Sequence, residues 1–265
     1  MAYDKINLSI AEGVAVLALN DPGTMNALSI PLQQEMRQAI AAVREDRSVR
    51  ALLLTGTGRA FCSGADLGSM SGGRVAGGSL GQNVGRMMRE LSNPLILDLQ
   101  ALPVPVVAAV NGAAAGAGVS LALAADVVVA ARSAYFLLTF LPRLGLVPDL
   151  GATWHLPRLV GRARAMGLAL LGDRLSAEQA AEWGLIWACV DDDALADETQ
   201  ALAVRLASAP RHAALEARLA FDAANSSDLP QQLAYEAMRQ EQLADQPSFQ
   251  EGVRAFLEKR RPNFE

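Results

Sequence analysis

One stretch, Pro105–Asp126, constrains the fold more than any other part of the chain. It begins with Val106–Val110, an unbroken apolar run typical of strands that are buried on both faces. Asn111-Gly112 is a turn dipeptide, and only Ala and Gly follow it up to Val119, where a helix-forming sequence begins. A buried strand, a glycine-rich turn and a helix start leave backbone N–H groups without partners. Such donors suit an anion or a developing oxyanion.

The composition favours an α/β protein with a large core. The chain has 265 residues, of which 51% are apolar and only 5% aromatic. Its formal net charge is −5 and its longest basic run is Lys259-Arg260-Arg261, so nucleic-acid binding is disfavoured. No apolar stretch approaches the ~20 residues of a membrane span, so no membrane association is expected. Two cysteines are too few for a disulfide framework or a zinc cluster, and we predict a reduced, cytoplasmic setting without a metal.

Hydrophobic periods and turn residues predict strands that alternate with helices up to about residue 190, followed by helices alone. The predicted strands are residues 5–10, 14–19, 50–56, 106–110, 127–131, 134–138 and 187–190. The predicted helices are residues 30–43, 82–101, 153–160, 162–171, 193–207, 212–223, 230–242 and 247–257, with a further helix capped by Ser176. Residues 68–81 lack a period and are predicted to form a mobile loop over the site. We predict a core of residues 1–192 and a helical region of residues 193–265.

Four motifs occur in order along the chain. They are Asn20-Asp21-Pro22 with Asn26-Ala27-Leu28, the run Phe61–Leu67, the segment Asn111–Asp126, and Gly145–Gly151 followed by Leu156-Pro157-Arg158. Together they resemble the motifs of the enoyl-CoA hydratase/isomerase (crotonase) family over nearly the whole chain. The resemblance implies a ClpP/crotonase-like α/β fold, a spiral of ββα units with an all-helical C-terminal trimerisation region. It also implies a homotrimer or a dimer of trimers.

The resemblance further implies an acyl-CoA substrate, whose coenzyme A is the only cofactor expected. The backbone N–H groups of Ala65 and Ala117 would hold the thioester carbonyl. An oxyanion hole needs short side chains so that the substrate oxygen comes within ~3 Å of the backbone. Close helix–sheet packing is the alternative role of these small residues, and the pairing of two such turns disfavours it. The other residues that the resemblance places around the substrate are Ser63, Gly64, Asp66, Leu67, Gly116, Ser120 and Phe140.

The predicted chemistry depends on which acids are present. Hydratases of the family carry two glutamates, and their positions match Ser120 and a residue at or next to Phe140, in a segment one residue longer than usual. Adding water needs one group to activate the water and another to protonate carbon, so hydration is disfavoured. Isomerases of this fold place a catalytic aspartate at the position of Asp149, where one carboxylate suffices. The alternative is that Asp149 caps the helix that begins near Thr153.

Several other side chains are given two interpretations. Asp66 is either a second acid or, as we prefer, a structural residue that bonds the loop backbone. Ser120 either leaves room for a bulky acyl group or forms a hydrogen bond. His155 is predicted to be solvated, and Cys62 to pack in the core. Phe140, Leu146, Val147 and Trp154 are predicted to raise the pKa of Asp149, and Trp154 could also line the acyl pocket.

The C-terminal basic residues are the candidates for binding the CoA phosphates. Lys259, Arg260 and Arg261 would do so from the tail of this chain or of a neighbouring subunit. The alternative is a solvated charge cluster.

A narrower resemblance concerns the substrate. Leu146–Asp149 and the run Gly161–Trp187 look like those of family members that convert the ring 1,2-epoxide of phenylacetyl-CoA into an oxepin. We therefore predict an acyl-CoA isomerase with Asp149 as its acid/base and that ring epoxide as its substrate. The alternatives are a Δ3-Δ2 enoyl-CoA isomerase that uses the same residues, an enoyl-CoA hydratase, and a non-catalytic protein of this fold that binds acyl-CoA or RNA.

Overall fold

The computed structural model describes residues 3–68 and 78–264. Its strands are β1 (Ile6–Ala11), β2 (Val14–Leu19), β3 (Ala51–Gly56), β4 (Ala60–Cys62), β5 (Val106–Val110), β6 (Ala113–Ala115), β7 (Val127–Ala131), β8 (Tyr135–Leu137), β9 (Arg174–Ser176) and β10 (Ala188–Val190). Its helices are α1 (Ile30–Glu45), α2 (Leu80–Met87), α3 (Asn93–Gln100), α4 (Ala117–Leu123), α5 (Ala152–Leu171), α6 (Ala177–Glu182), α7 (Leu195–Ala207), α8 (Ala213–Ala224), α9 (Leu229–Ala244) and α10 (Pro247–Leu257). A π-helical turn, Met88–Ser92, joins α2 to α3. Most of the predicted loop at residues 68–81 lies outside the described residues, and α2 begins before the predicted helix start at residue 82.

The described strands form two sheets. The larger sheet has the order β1-β2-β3-β5-β7-β10 and the smaller one β4-β6-β8-β9. After the antiparallel hairpin of β1 and β2, the neighbours in the larger sheet are parallel. The pairs β3-β4, β5-β6 and β7-β8 each give their first strand to the larger sheet and their second to the smaller, and helical segments follow each pair. This is the predicted repeat of ββα units.

The best-predicted elements are those with strong local signals. All five residues of β5 are buried, as the continuous apolar run indicated. In α1, Leu32, Met36, Ile40 and Val43 form the buried face, and the Ser29 side chain accepts a hydrogen bond from the Leu32 amide as an N-cap. Helix α5 is broken at Gly161, whose φ of 75° and ψ of 161° separate the two predicted helical pieces.

One predicted turn is wrong in detail. Residues 113–115 were assigned to the glycine-rich turn, but they form β6, which pairs with β4 on one side and β8 on the other. Three alanines carry no period-2 pattern and have little intrinsic preference for a strand. The strand therefore forms only because its two neighbours supply hydrogen-bonding partners.

The C-terminal helices differ in how they pack. Helix α7 lies on the larger sheet and buries Leu195, Thr199 and Ala203, whereas α8 and α9 contain no buried residue. Arg218 nevertheless ties α8 to the core through Asp126 and the backbone carbonyls before β5. The division at residues 192 and 193 remains a prediction. None of the described helices is both long and apolar enough to cross a membrane, and the cytoplasmic setting also remains a prediction.

Candidate active site

Two glycine-containing loops pack against each other after β4 and β6, which are parallel neighbours. Gly64 has a φ of 97°, and a Cβ on it would lie 2.7 Å from the carbonyl oxygen of Ala115. A Cβ on Gly118 would lie 2.2 Å from the carbonyl oxygen of Cys62. Only glycine allows the backbones to approach this closely. The small residues of the two loops therefore do serve close packing, which was the alternative role considered for them. This packing brings the two loops together.

This packing places Ala65 and Ala117 in the wall of one cleft. Ala117 is the first residue of α4, so its N–H has no acceptor within the helix. Neither the Ala65 nor the Ala117 amide hydrogen has an acceptor within the described part of the chain. Gly116, the N-cap of α4, has a φ of 51° and a ψ of −126°, a conformation that favours glycine. Two unpaired N–H groups in one wall are the donors that an oxyanion hole requires.

The cleft is mostly apolar. Its cavity volume is about 180 Å³, and it opens to solvent. Its apolar walls come from Leu28, Ile30, Leu67, Val84, Met87, Met88, Phe140, Leu144, Leu146, Val147 and Leu150. Its polar side chains, among the described residues, are Gln33, Asp66, Ser92 and Asp149. An apolar chamber beside two amide donors suits a ligand that joins a hydrocarbon group to a polar carbonyl.

Asp149 enters this cleft from the loop before α5. Its Oδ1 atom is buried and has no hydrogen-bond partner among the described residues. Burial raises the pKa of Asp149 to about 6, an increase that its own backbone amide partly offsets. The side chain does not cap α5, because Gly151 is the N-cap residue and no side chain bonds the first turn. The capping alternative is therefore wrong.

The backbone after Asp149 forms an uncommon turn. The amide of Ala152 donates to the Asp149 carbonyl oxygen at 2.9 Å. The two residues between them, Leu150 and Gly151, have φ values of 48° and 89°, which match a type I′ turn. A left-handed conformation costs about 1–2 kcal/mol for a residue with a side chain. Contacts from the surrounding structure must therefore hold Leu150 in place.

The Ser120 side chain bonds the backbone of Asp149. The Ser120 side chain is fully buried, and its Oγ donates to the Asp149 carbonyl oxygen at 2.8 Å. Ser120 does not line the cleft. Of its two interpretations, the hydrogen bond is observed. The role of its small side chain in leaving room for an acyl group remains a prediction.

Phe140 does line the cleft, and it begins a π-helical turn, Phe140–Leu144. The Gly145 amide donates back to the Phe140 carbonyl oxygen across this turn. A π turn contains one residue more than an α turn, so it would accommodate the extra residue that the resemblance predicts for this segment. Ser120 and Phe140, which the resemblance matches to the two hydratase glutamates, are not carboxylates.

The remaining predicted binding residues lie on the loop after β4. Ser63 anchors this loop through two hydrogen bonds. Its Oγ donates to the Thr24 carbonyl oxygen at 3.0 Å, and its backbone amide donates to the Met25 carbonyl oxygen at 3.0 Å. Asp66 and the half-exposed Leu67 line the cleft. Their contacts to substrate remain predictions. Cys62 is fully buried, as predicted, and burial raises the pKa of its thiol to about 12.

Asn26 is a structural residue of the site that sequence reasoning did not assign. It is fully buried, and its Nδ2 donates to the carbonyl oxygens of Ala60 and Phe61 at 2.8 and 3.2 Å. Its Oδ1 accepts from the Asp21 amide at 2.9 Å. Asn26 thus joins the loop between β2 and α1 to β4. In the sequence, the one sign of its importance is its place in the family motif Asn26-Ala27-Leu28.

A buried polar pair in the cleft wall was also missed. The Ser92 Oγ donates to Gln33 Oε1 at 2.6 Å, and Gln33 Nε2 donates to the Leu28 carbonyl oxygen at 2.8 Å. This pair links α1 to the π-helical turn before α3. Neither residue stands in a recognisable motif, because the pair forms between distant parts of the chain.

Two side chains at the start of α5 lie outside the cleft. Trp154, for which lining the acyl pocket was the lesser alternative to a core or interface position, lies in a separate surface groove, where the Arg158 guanidinium sits 4.2 Å from its ring centroid. The prediction for His155 is wrong. His155 is half-buried instead of solvated, and this burial lowers its pKa. The cover comes from α8, since Phe221 and Asp222 line the same groove. A helix so distant in sequence leaves no local signal at His155.

The basic tail lies away from the cleft within one chain. Arg260 pairs with Glu251 and Glu258, and these carboxylates raise the pKa of its guanidinium. None of the three basic residues at 259–261 lines the cleft. Within a single chain, Lys259, Arg260 and Arg261 therefore form the solvated charge cluster that was the alternative to phosphate binding. The described residues also contain no group of three His, Cys, Asp or Glu side chains that could hold a metal.

A ββα fold of this kind, with two unpaired amides and a buried carboxyl in one cleft, is typical of the crotonase class of enzymes. Known proteins that are similar in sequence and structure belong to the same class. A model of the enoyl-CoA hydratase/isomerase family matches residues 9–265, and the chain belongs to this family. It is similar to a probable enoyl-CoA hydratase of Rhodobacter capsulatus, with 48% identity over 100% of this chain and 99% of that one. It is also similar to the 1,2-epoxyphenylacetyl-CoA isomerase of Escherichia coli, with 46% identity over 96% of each chain.

A solved structure supports the fold directly. The enoyl-CoA hydratase of Bacillus anthracis superposes with a TM-score of 0.90 at 33% identity, over 99% of this chain and 100% of that one. The predicted crotonase fold and the family resemblance are confirmed.

Proposed function

We propose that this protein is an acyl-CoA isomerase in which Asp149 is the acid and base and the Ala65 and Ala117 amides hold the thioester oxygen. One observation carries the proposal. Asp149, whose buried Oδ1 has no partner among the described residues, lines the same cleft as Ala65 and Ala117, whose amides have no acceptor there. A carboxyl group with a pKa of about 6 can take up and return a proton near neutral pH.

The acids in the cleft favour isomerisation over hydration. Asp149 and Asp66 are the acidic side chains in its walls, among the described residues. Ser120 and Phe140 stand where the hydratases that this chain resembles carry their two glutamates. Hydration needs one group to activate water and a second to protonate carbon, whereas an isomerase can use one carboxyl for both proton transfers.

A double-bond shift illustrates the steps. The Asp149 carboxylate removes a proton from the carbon between the thioester carbonyl and the double bond. The electron pair moves onto the carbonyl oxygen, and the two amides stabilise this dienolate. The Asp149 carboxylic acid then returns the proton two carbons farther along. The product is the conjugated enoyl thioester, and Asp149 is ionised again.

The substrate we propose is the ring 1,2-epoxide of phenylacetyl-CoA, which isomerises to an oxepin. The 46% identity to the Escherichia coli enzyme supports this substrate, and the apolar cleft around Phe140, Met87 and Met88 suits a ring. Asp149 would move a proton or assist ring opening while the amides hold the thioester. Because composition and oxidation level do not change, we propose no cofactor beyond the coenzyme A of the substrate.

Hydration remains the second candidate, because the 48% identical relative is named a probable enoyl-CoA hydratase. The two functions can be separated by incubating the protein with the ring epoxide, a 3-enoyl-CoA and a 2-enoyl-CoA. Mass spectrometry and ultraviolet absorbance would follow each reaction. We expect products of unchanged mass and altered absorbance from the ring epoxide. A main reaction that adds the mass of one water to the 2-enoyl-CoA would contradict the proposal.

We also propose that the protein assembles as a homotrimer or a dimer of trimers. Helices α8 and α9 bury no residue within one chain. Even the large apolar side chain of Phe221, on α8, is exposed. On α10, Phe249, Val253 and Phe256 are exposed at a spacing that puts them on one helix face. A second copy of the chain would cover these apolar side chains.

A further inference from the structure

We infer that Ser120 is a positioning residue that sets the location of the Asp149 carboxyl relative to the oxyanion hole. This inference rests on the proposed function. Ser120 follows Ala117 by three residues, so both lie on one face of α4 a single turn apart. Ala117 lines the cleft, and the Ser120 Oγ donates to the Asp149 carbonyl oxygen at 2.8 Å. One short helix therefore holds both parts of the catalytic machinery.

The hydrogen bond from Ser120 Oγ joins the Asp149 turn directly to α4. The Asp149 carbonyl oxygen accepts two hydrogen bonds, from the Ala152 amide and from Ser120. The Ala152 bond joins the turn only to the first residue of α5, the helix that follows it, and does not reach α4. Leu150, inside the turn, holds a φ of 48°, which a side chain disfavours. Without Ser120, the turn can relax and carry the carboxyl with it.

Helix α4 is suited to act as the rigid end of this link. Each residue of Ala117–Leu123 is buried. A serine within a helix often bonds a carbonyl of the preceding turn, but the Ser120 hydroxyl bonds the Asp149 loop instead. The position at which a hydratase carries its glutamate thus serves here to hold the loop of a different acid.

Loss of this hydroxyl has a specific kinetic signature. In Ser120→Ala the two oxyanion donors stay in place, so we expect KM for the acyl-CoA to remain within about twofold. Misplacing a catalytic group by ~1 Å can cost ~100-fold in rate, so we expect kcat to fall by roughly 10- to 100-fold. Greater exposure of the carboxyl would also move the acidic limb of the kcat/KM profile to lower pH.

The experiment compares Ser120→Ala, Ser120→Cys, Asp149→Asn and a matched control on one acyl-CoA substrate. Ser176→Ala is the control, because it removes another serine hydrogen bond, the N-cap of α6, at a site remote from the cleft. We expect wild-type kinetics for the control and an intermediate kcat for Ser120→Cys, whose thiol is a weaker donor. If Ser120→Ala does not fold, Ser120→Cys, which changes volume least, decides the matter.

The outcomes separate the inference from the proposed function. If Asp149→Asn loses activity while a folded Ser120→Ala or Ser120→Cys keeps the wild-type kcat and pH profile, the positioning role is overturned and the proposed function stands. If Asp149→Asn is as active as the wild type, the proposed function itself fails. A loss of kcat in Ser176→Ala equal to that in Ser120→Ala would show general destabilisation, and this too would overturn the positioning role.

Discussion

Asp149 illustrates how a functional residue lowers the stability of the fold that holds it. Its pKa is about 6 in the folded chain, against an ordinary value of 3.8. Between these pH values the folded state binds more protons than the unfolded state. The free energy of unfolding therefore falls as the pH rises through this window, and it stays lower above pH 6. The proposed function gives a reason for this cost, since a base must be ionised to accept a proton.

Replacing Asp149 with Asn removes the buried charge and should reveal this cost. We expect Asp149→Asn to be more stable than the wild type at pH 8 by on the order of 2 kcal/mol, and to differ little at pH 4. Chemical denaturation at both pH values measures the difference. A variant that is less stable than the wild type at pH 8 would show that the carboxylate makes favourable contacts absent from our description.

At the scale of single elements, the loop after β4 depends on Gly64. In Gly64→Ala the new Cβ meets the Ala115 carbonyl oxygen, at a positive φ that alanine disfavours. The loop must shift and carry the Ala65 amide away from the cleft. Because loss of one oxyanion donor typically costs ~100- to 1,000-fold in kcat, we expect a loss of that order. Steady-state kinetics would measure it.

Gly167→Ala is the matched control for this change. Gly167 lies within α5, and a Cβ there would have no heavy atom within 4 Å. We expect wild-type kinetics and a small gain in stability, since alanine favours a helix by ~1 kcal/mol over glycine. Equal activity of Gly64→Ala and Gly167→Ala would argue against the Ala65 amide as a donor.

The elements that sequence predicted well are those whose signal is local. The Ser29 cap, the buried face of α1, the run of β5 and the break at Gly161 each depend on residues close in sequence. Strand β6 could not be predicted, because three alanines form a strand only between β4 and β8. The same holds for His155, whose cover comes from α8.

The candidate site shows the same division. The resemblance to family motifs predicted Ala65, Ala117 and Asp149, and the structure brings these three residues to one cleft. The wall formed by Val84, Met87 and Met88 was not predicted, since an apolar helix face does not reveal what it covers. The bond from Ser120 to Asp149 joins residues far apart in the chain and requires the folded geometry.

For the whole molecule, the uncovered C-terminal helices make assembly testable. Phe256 on α10 is 82% exposed in a single chain, so its replacement by Glu should leave the fold of one subunit intact. We expect the wild type to have at least three times the 27.9 kDa mass of one chain, and Phe256→Glu to have a smaller mass. Light scattering after size-exclusion chromatography measures both.

Leu97→Glu provides the control for assembly. Leu97, like Phe256, is exposed, at 65%, but it lies on α3, outside the C-terminal helical region of residues 193–265. We expect it to keep the wild-type mass. A monomeric wild type, or dissociation by Leu97→Glu but not by Phe256→Glu, would contradict assembly through the C-terminal region.

The central claim, that the Asp149 carboxyl transfers the proton, is tested most directly by the kcat of Asp149→Asn on the best acyl-CoA substrate. Asp173→Asn is the control, because it makes the same change at an exposed aspartate outside the cleft. We predict that kcat falls by ~100- to 10,000-fold in Asp149→Asn, the usual range for loss of a general acid–base group, and that it is unchanged in Asp173→Asn. Turnover by Asp149→Asn within a few-fold of the wild type would contradict the claim.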